Sequence, residues 1–305
     1  MSDAETGNID SGDAIGVEAG SCGARQAARP AVGARVAIRR FVAAIDPLRL
    51  AGVALFVLVW QGLAALLSPI RLPPPLAVVK RLAADFLDAP SLSYYGVANP
   101  NLYANLLYTA ENVVLAVAIG TVIGILAGLT SARFRLVRAA IDPVMMTAGT
   151  VPILVAAPFL LIWFGGGRLS AVCLVIFYVT VILYLFAQRA ANNVNPIYEE
   201  FARTLGAKER QIVFDLLTPA TVPEILGGLR IALAGAWGLE ALSELLGSQE
   251  GVGKVLEVLS GATDSEGIIA NLLLLGLVAV IFDALAGAAI ARLTGWNAGL
   301  RSEWN

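Results

Sequence analysis

The chain has 305 residues, of which 58% are hydrophobic and only 14% charged, against about 25% charged in an ordinary soluble domain. Its 21 Lys and Arg against 23 Asp and Glu leave a formal charge of −2, which excludes the basic face that nucleic acid requires. No His is present, so His-based triads, His metal sites and His proton relays are excluded. Cys22 and Cys173 offer neither a CxxC spacing nor a disulfide framework. Length alone suggests two domains, but there is too little polar surface to coat them. Much of this chain must be solvated by lipid.

Residues 1–45 read as a polar tail. Asp3, Glu5, Asp10, Asp13 and Glu18 fill its first half, and Arg25, Arg29, Arg35, Arg39 and Arg40 its second. The acidic half lacks an apolar period and is expected to be disordered. The basic half suits either anionic headgroups or plain solvent. The first long apolar run starts near residue 50, too late for a signal peptide.

A span needs about 20 mostly apolar residues. Six runs qualify, at about 50–70, 112–132, 143–164, 169–187, 222–247 and 268–290. The third contains Pro152 and Pro158, the fifth Arg230, Glu240 and Glu244, and the sixth Asp283. An even number of spans puts both termini on one side. Of the Lys and Arg residues, 14 then fall on the terminal side and 5 opposite, with Arg49 and Arg230 at boundaries. That excess predicts cytoplasmic termini. The first two spans are joined by Leu72-Pro73-Pro74-Pro75 and an amphipathic stretch, with Val79, Leu82 and Phe86 opposite Lys80, Arg81 and Asp85. Pro75 suits the first turn of a helix there, lying in the outer interface or packed on the bundle.

About 30 residues join the fourth and fifth spans, long for a connection within a helical bundle. Phe201, Ala202 and Leu205 share one helical face, and Ile212, Val213, Leu216 and Leu217 form a second amphipathic set. Gly206 permits a tight turn between them, and Pro219 is expected to stop the second helix. The pattern predicts a helix–turn–helix shelf beneath the membrane, presenting a rigid knob for docking.

Glu200-Phe201-Ala202, Gly206 after three intervening residues, then Leu216 and Thr218-Pro219 resemble the EAA loop of ABC-importer permeases. Phe201 stands where that pattern has a small Ala, Leu216 where it has Ile, and Thr218 where it has Leu. Between residues 50 and 296 the chain resembles permeases of the nitrate/sulfonate/taurine/bicarbonate group. The resemblance rests on Ile141-Asp142-Pro143, Val151-Pro152, Ile162-Trp163-Phe164-Gly165, Gly228-Leu229-Arg230, Ala236-Trp237, Glu244, Gly251-Val252-Gly253, Asp283 and Trp296. It implies an all-α polytopic membrane bundle of six transmembrane helices, type I ABC-importer permease-like, over residues 46–296, with a short C-terminal tail at 297–305. It also implies a bacterial inner-membrane protein that pairs with a second permease copy or a paralogous permease. A cytoplasmic ATPase dimer would carry ATP and Mg, and an extracytoplasmic solute-binding protein would deliver the substrate. Glu200, Phe201, Ala202, Gly206, Ala207 and Pro219 would form the ATPase-coupling loop. No cofactor site is expected in this chain: the nearest approach to a phosphate-binding loop, SQEGVGKV at 248–255, lacks the first Gly and the Ser or Thr after Lys254.

An ionisable group at the bilayer centre costs about 2.5–3.5 kcal/mol on insertion scales, so each invites a reason. Glu240 and Glu244 lie four apart on one face, either along the pathway or an outer gate, or else at the outer interface, solvated or capped. Pro152, Pro158 and Trp163 are the other pathway candidates, set against a simple kink and an ordinary interface aromatic. Asp283 reads as a helix-pairing residue and Glu111 as interfacial. Gly120, Gly124 and Gly128 form a small-residue stripe for close packing. Two alternatives remain: a secondary transporter driven by an ion gradient, for which the carboxylates speak, and a membrane assembly protein without a pathway. The secondary transporter offers no account of the shelf.

Overall fold

A computed structural model describes residues 47–294. The expectations for the N-terminal tail, the C-terminal tail and Trp296 lie outside the described residues. The chain divides into two units, residues 1–56 and 57–305. The described part of the first is the opening half of helix α1 (Pro47–Leu66), with exposed apolar side chains such as Leu55 and Phe56.

The second unit is helical throughout its described length. Trp60 at the end of α1 donates its indole N–H to the carbonyl of Pro73 at 3.0 Å. Helix α2 (Pro75–Asp85) starts on Pro75, as its fixed φ favours. Val78 is its buried residue while Val79 is 57% exposed, so the apolar face is rotated one position from the one predicted. Val78, Leu82 and Phe86 turn inward, and α2 packs on the last helix. Burial works against the Arg81 guanidinium, but the Asp85 hydrogen bond and the carboxylates of Asp85, Asp264 and Glu266 hold its pKa above the ordinary value.

After the short α3 (Pro90–Tyr94) comes α4 (Leu102–Arg133). The Asn101 side chain caps it, accepting from Ala104 N–H at 2.6 Å. The helix therefore begins a full ten residues before the predicted apolar run, and Glu111, expected at its mouth, lies within it. One face of α4 is buried along its whole length: Asn105, Thr109, Asn112 and Ala116, then Gly120, Gly124 and Gly128. The glycines seat α4 on α7 (Arg168–Asn193). A Cβ at Gly120, Gly124 or Gly128 would lie 2.8, 2.7 and 2.6 Å from Val179 Cβ, Thr180 O and Tyr184 O, so the predicted close-packing stripe is present.

The predicted third span is broken. Helix α5 (Arg135–Thr150) ends before Pro152, a 3-10 turn covers Ile153–Ala156, and α6 (Ala157–Phe164) leaves at 99°. The missing N–H groups of two prolines explain why the helical ladder fails there. The connection after α7 forms α8 (Pro196–Thr204), the one-turn α9 (Glu209–Gln211) and a π-wound turn at Ile212–Leu217. That turn runs without interruption into α10 (Thr218–Gly247). Pro219, expected to stop a helix, sits instead at the start of α10, directly after the π-wound turn, and the winding continues through it. Helices α11 (Val252–Gly261) and α12 (Ser265–Leu293) complete the described chain.

Among the described residues, four helices are long and apolar enough to cross a membrane, and the bent α5–α6 pair makes a fifth. The first of the six predicted spans is a shorter apolar helix, Leu50–Leu66. The core gathers α4, α7, α10 and α11 around Val113, Val175, Val179, Leu183, Ala236 and Val252.

Candidate functional site

The shelf assembles as its residue pattern predicts. The Asn195 side chain accepts from Ile197 N–H at 3.0 Å to start α8, and Pro196 takes the first helical position. Gly206 ends it at φ +82°, a left-handed conformation that Gly adopts without steric cost. Gly206 N–H donates to Arg203 O at 2.9 Å and Ala207 N–H to Ala202 O at 3.0 Å, closing the turn. Lys208 N–H then donates to Gln211 Oε1 at 2.9 Å, which starts α9.

One side of α8 is pinned by ion pairs. Arg133, at the end of α4, meets Glu209 at 2.6 Å and Glu199 at 3.6 Å. Arg203 bridges the same two carboxylates from the other side. The remaining face is bare: Ile197, Tyr198, Phe201 and Leu205 are all exposed, Phe201 at 64%. Glu200 is exposed beside them, while Ala202 and Ala207 are half-buried and line a recess with Gly206 and Leu216. The structure places Glu200, Phe201, Ala202, Gly206 and Ala207 on the shelf and Pro219 at the start of α10; the sequence pattern carries no sign of Arg133, whose partner lies 76 residues away.

At the opposite end of α4 and α10 lies a buried polar clamp. Glu244 accepts from Thr109 Oγ1 at 2.9 Å and from Gly253 N–H at 3.0 Å. Thr109 Oγ1 itself accepts from Val252 N–H at 3.0 Å, and Asn105 Oδ1 accepts from Gly251 N–H at 2.9 Å. The first N–H groups of α11, which have no partner within their own helix, are thus taken up by α4 and α10. Gly251 has φ +101° and a Cβ there would strike the Glu244 carboxylate. Glu244 is fully buried, its carboxylate engaged by Thr109 and Gly253. Glu240, one turn away, is also fully buried, and neither of its carboxylate oxygens has a partner of hydrogen-bonding geometry. Asn112 on α4 lies within electrostatic reach, with its own amide atoms equally unpartnered.

Pro152 and Pro158 flank the 99° bend, and Trp163 projects from α6 at 72% exposure. An apolar groove lined by Pro143, Thr147, Val151, Ile153, Ala156 and Phe177 crosses the bend. Sequence reading missed the network that holds α5 in place: Asp142 Oδ1 accepts from Ser131 at 3.1 Å, Gln188 at 2.5 Å and Tyr184. An Asp beside Pro143 in an apolar run was its one visible signal. Asp283 pairs with Arg230 through two hydrogen bonds, Nε to Oδ1 at 2.8 Å and Nη2 to Oδ2 at 2.5 Å, the helix pairing predicted for it.

Residues 120–295 match the family described as binding-protein-dependent transport system inner membrane component. The chain belongs to that family. It is a multi-pass permease subunit of an ABC importer; its shelf, its α5–α6 bend and the Glu244 and Gly251–Gly253 side of the clamp fall within the matched region, while Asn105 and Thr109 precede it. The taurine transport system permease protein of Escherichia coli is 27% identical over 246 residues, covering 80% of this chain and 87% of that one. The formylaminopyrimidine transport permease protein of Halalkalibacterium halodurans is 29% identical, covering 78% and 90%. The nitrate import permease protein of Synechococcus elongatus is 27% identical, covering 79% and 85%. Among solved structures, an inward-facing methionine ABC transporter shares the fold at 21% identity and a TM-score of 0.53, covering 63% of this permease and 94% of that chain.

Proposed function

We propose that this permease forms half of a substrate pathway and couples it to a cytoplasmic ATPase dimer through the shelf at 195–219, with Glu200, Phe201, Ala202, Gly206, Ala207 and Pro219 at the contact. The observation that carries the reading is the form of α8: an apolar face left bare beside a face riveted by ion pairs to the end of α4. A rigid apolar knob outside the spans has no use for lipid and is shaped for a protein cleft. ATP and Mg would sit on the partner ATPase, since SQEGVGKV at 248–255 lacks the first Gly and the Ser or Thr of a phosphate-binding loop. The groove across Pro143–Ala156 and the exposed face of α6 supply the wall that a second permease copy would close. A solute-binding protein delivers the substrate on the side opposite the shelf, and both termini lie in the cytoplasm, as the Lys and Arg distribution requires. The substrate is a small polar solute of the kind its relatives are named for.

The reading is tested in proteoliposomes holding the permease, its ATPase and its binding protein. Gly206→Pro forces φ to about −65° where the backbone needs +82°, and Glu200→Lys reverses an exposed charge. Both are expected to abolish ATP-driven uptake while membrane insertion survives. Unchanged uptake in both variants overturns the assignment.

A further inference from the structure

The junction between shelf and α10 is wound in an unusual way. In Ile212–Leu217 the helix widens to π geometry, and Thr218 sends both its N–H and its Oγ1 to the carbonyl of Val213, five residues back, the hydroxyl at 2.8 Å. The cause is in the sequence. Pro219 has no N–H to give, and in an α-turn its ring would press on the carbonyl four residues before it. The wider turn eases that pressure, and both prolines and π-bulges are recurrent places where a helical ladder changes direction.

Three features make this turn the compliant part of the path. Its inner side faces a cavity of about 140 Å³ lined by Leu129, Ala132, Val213, Leu217, Thr218 and Thr221. Its outer side is open, with Phe214 62% exposed and Asp215 exposed. Beyond it α10 is stiffly seated on α7: a Cβ at Gly228 would strike the ring of Phe186, and one at Gly235 the ring of Tyr178. A push on the shelf therefore meets free space at the π turn and close packing immediately after it.

We propose that the Ile212–Leu217 turn is a register-shift hinge, in which the extra residue moves into the adjoining cavity and turns displacement of the shelf into rotation of α10. This rests on the coupling reading above and adds where the motion is converted. A π turn is an α-helix with one residue inserted, so deleting a single residue restores α winding while both flanks keep their faces. Deletion of Phe214, whose side chain points to solvent, is the direct test in the full transporter. The ATPase subunits are expected to co-purify and hydrolyse ATP, while solute taken up per ATP falls by roughly tenfold, within the range for altered coupling elements. Ala132→Leu, which fills the cavity from α4 and leaves the turn's own residues unchanged, is expected to lower the same ratio by a smaller factor. Gly206→Pro in the same preparation separates the two readings. If Gly206→Pro uncouples and neither deletion of Phe214 nor Ala132→Leu does, the hinge is wrong and the shelf stands. If Gly206→Pro is also silent, the shelf itself fails. Should the deletion prevent assembly, Ala132→Leu decides alone, and an unchanged uptake-to-ATP ratio overturns the hinge.

Discussion

Helix α4 is tied at both ends by opposite means, to the shelf at one and to α10 and the start of α11 at the other. At the shelf end the ties are ion pairs among Arg133, Glu199, Arg203 and Glu209, whose side chains are 26–56% exposed. Exposed pairs of this kind contribute about 0–1 kcal/mol each. At the far end the ties are fully buried: Glu244, Thr109 and Asn105 each hold a backbone N–H of the 251–253 loop. A satisfied buried network is strong because every broken bond leaves an unpaired group in low dielectric. The molecule is therefore stiff where α11 docks and yielding where the shelf attaches. On the proposed coupling, motion entering at the shelf would meet a yielding joint first and a rigid body beyond it.

The comparison breaks most decisively at Gly253. A Cβ there would lie 2.6 Å from both Leu245 N and Glu244 Cβ, with the Ala241 carbonyl closer still. Backbone cannot step aside as a side chain can, so Gly253→Ala is expected to cost about 3 kcal/mol. The measurement is yield and thermal midpoint of the detergent-solubilised protein. Glu244→Ala comes next, at about 2–3 kcal/mol, because Thr109 and Gly253 lose their acceptor while buried. A midpoint unmoved by both would show the far end to be soft. Glu240 sharpens the contrast, since it is equally buried but unpartnered. Glu240→Leu removes an unsatisfied group and is expected to raise stability by about 1–2 kcal/mol. Neighbouring glutamates should thus respond with opposite signs.

Much of this was legible in the sequence, for reasons that differ by element. The shelf was readable because its determinants are local: Asn195-Pro196 starts a helix, Gly206 turns it, and apolar spacing sets its faces. The glycine stripe was readable because Gly120, Gly124 and Gly128 are spaced for one helical face. Pro219 misled, because the turn before it widens to π geometry and the winding continues through it. The α4 boundary misled because Asn105, Thr109 and Asn112 look like the end of an apolar run. They are instead a buried polar ladder, in which Asn105 and Thr109 find partners on α10 and at the start of α11 more than 100 residues away. The clamp could not be read for the same reason: Glu244 next to Glu240 suggests repulsion until the N-terminus of α11 is placed against it.

The smallest expected effect is at the shelf end, and its smallness is the point. Arg133→Ala removes two ion pairs whose Arg side chain is 40% exposed, so it should cost under about 1 kcal/mol of stability. Salt should erase what remains, since exposed charges are screened within about 8 Å at physiological ionic strength. Yet Arg133 is the only described residue of α4 joined to the shelf by an ion pair. Uptake per ATP should therefore fall in Arg133→Ala by a larger factor than stability does, and the wild type should approach the variant as salt is raised. A coupling ratio indifferent to both the substitution and salt would mean that α4 takes no part in the transmission. The load would then pass through the π turn and α10 alone.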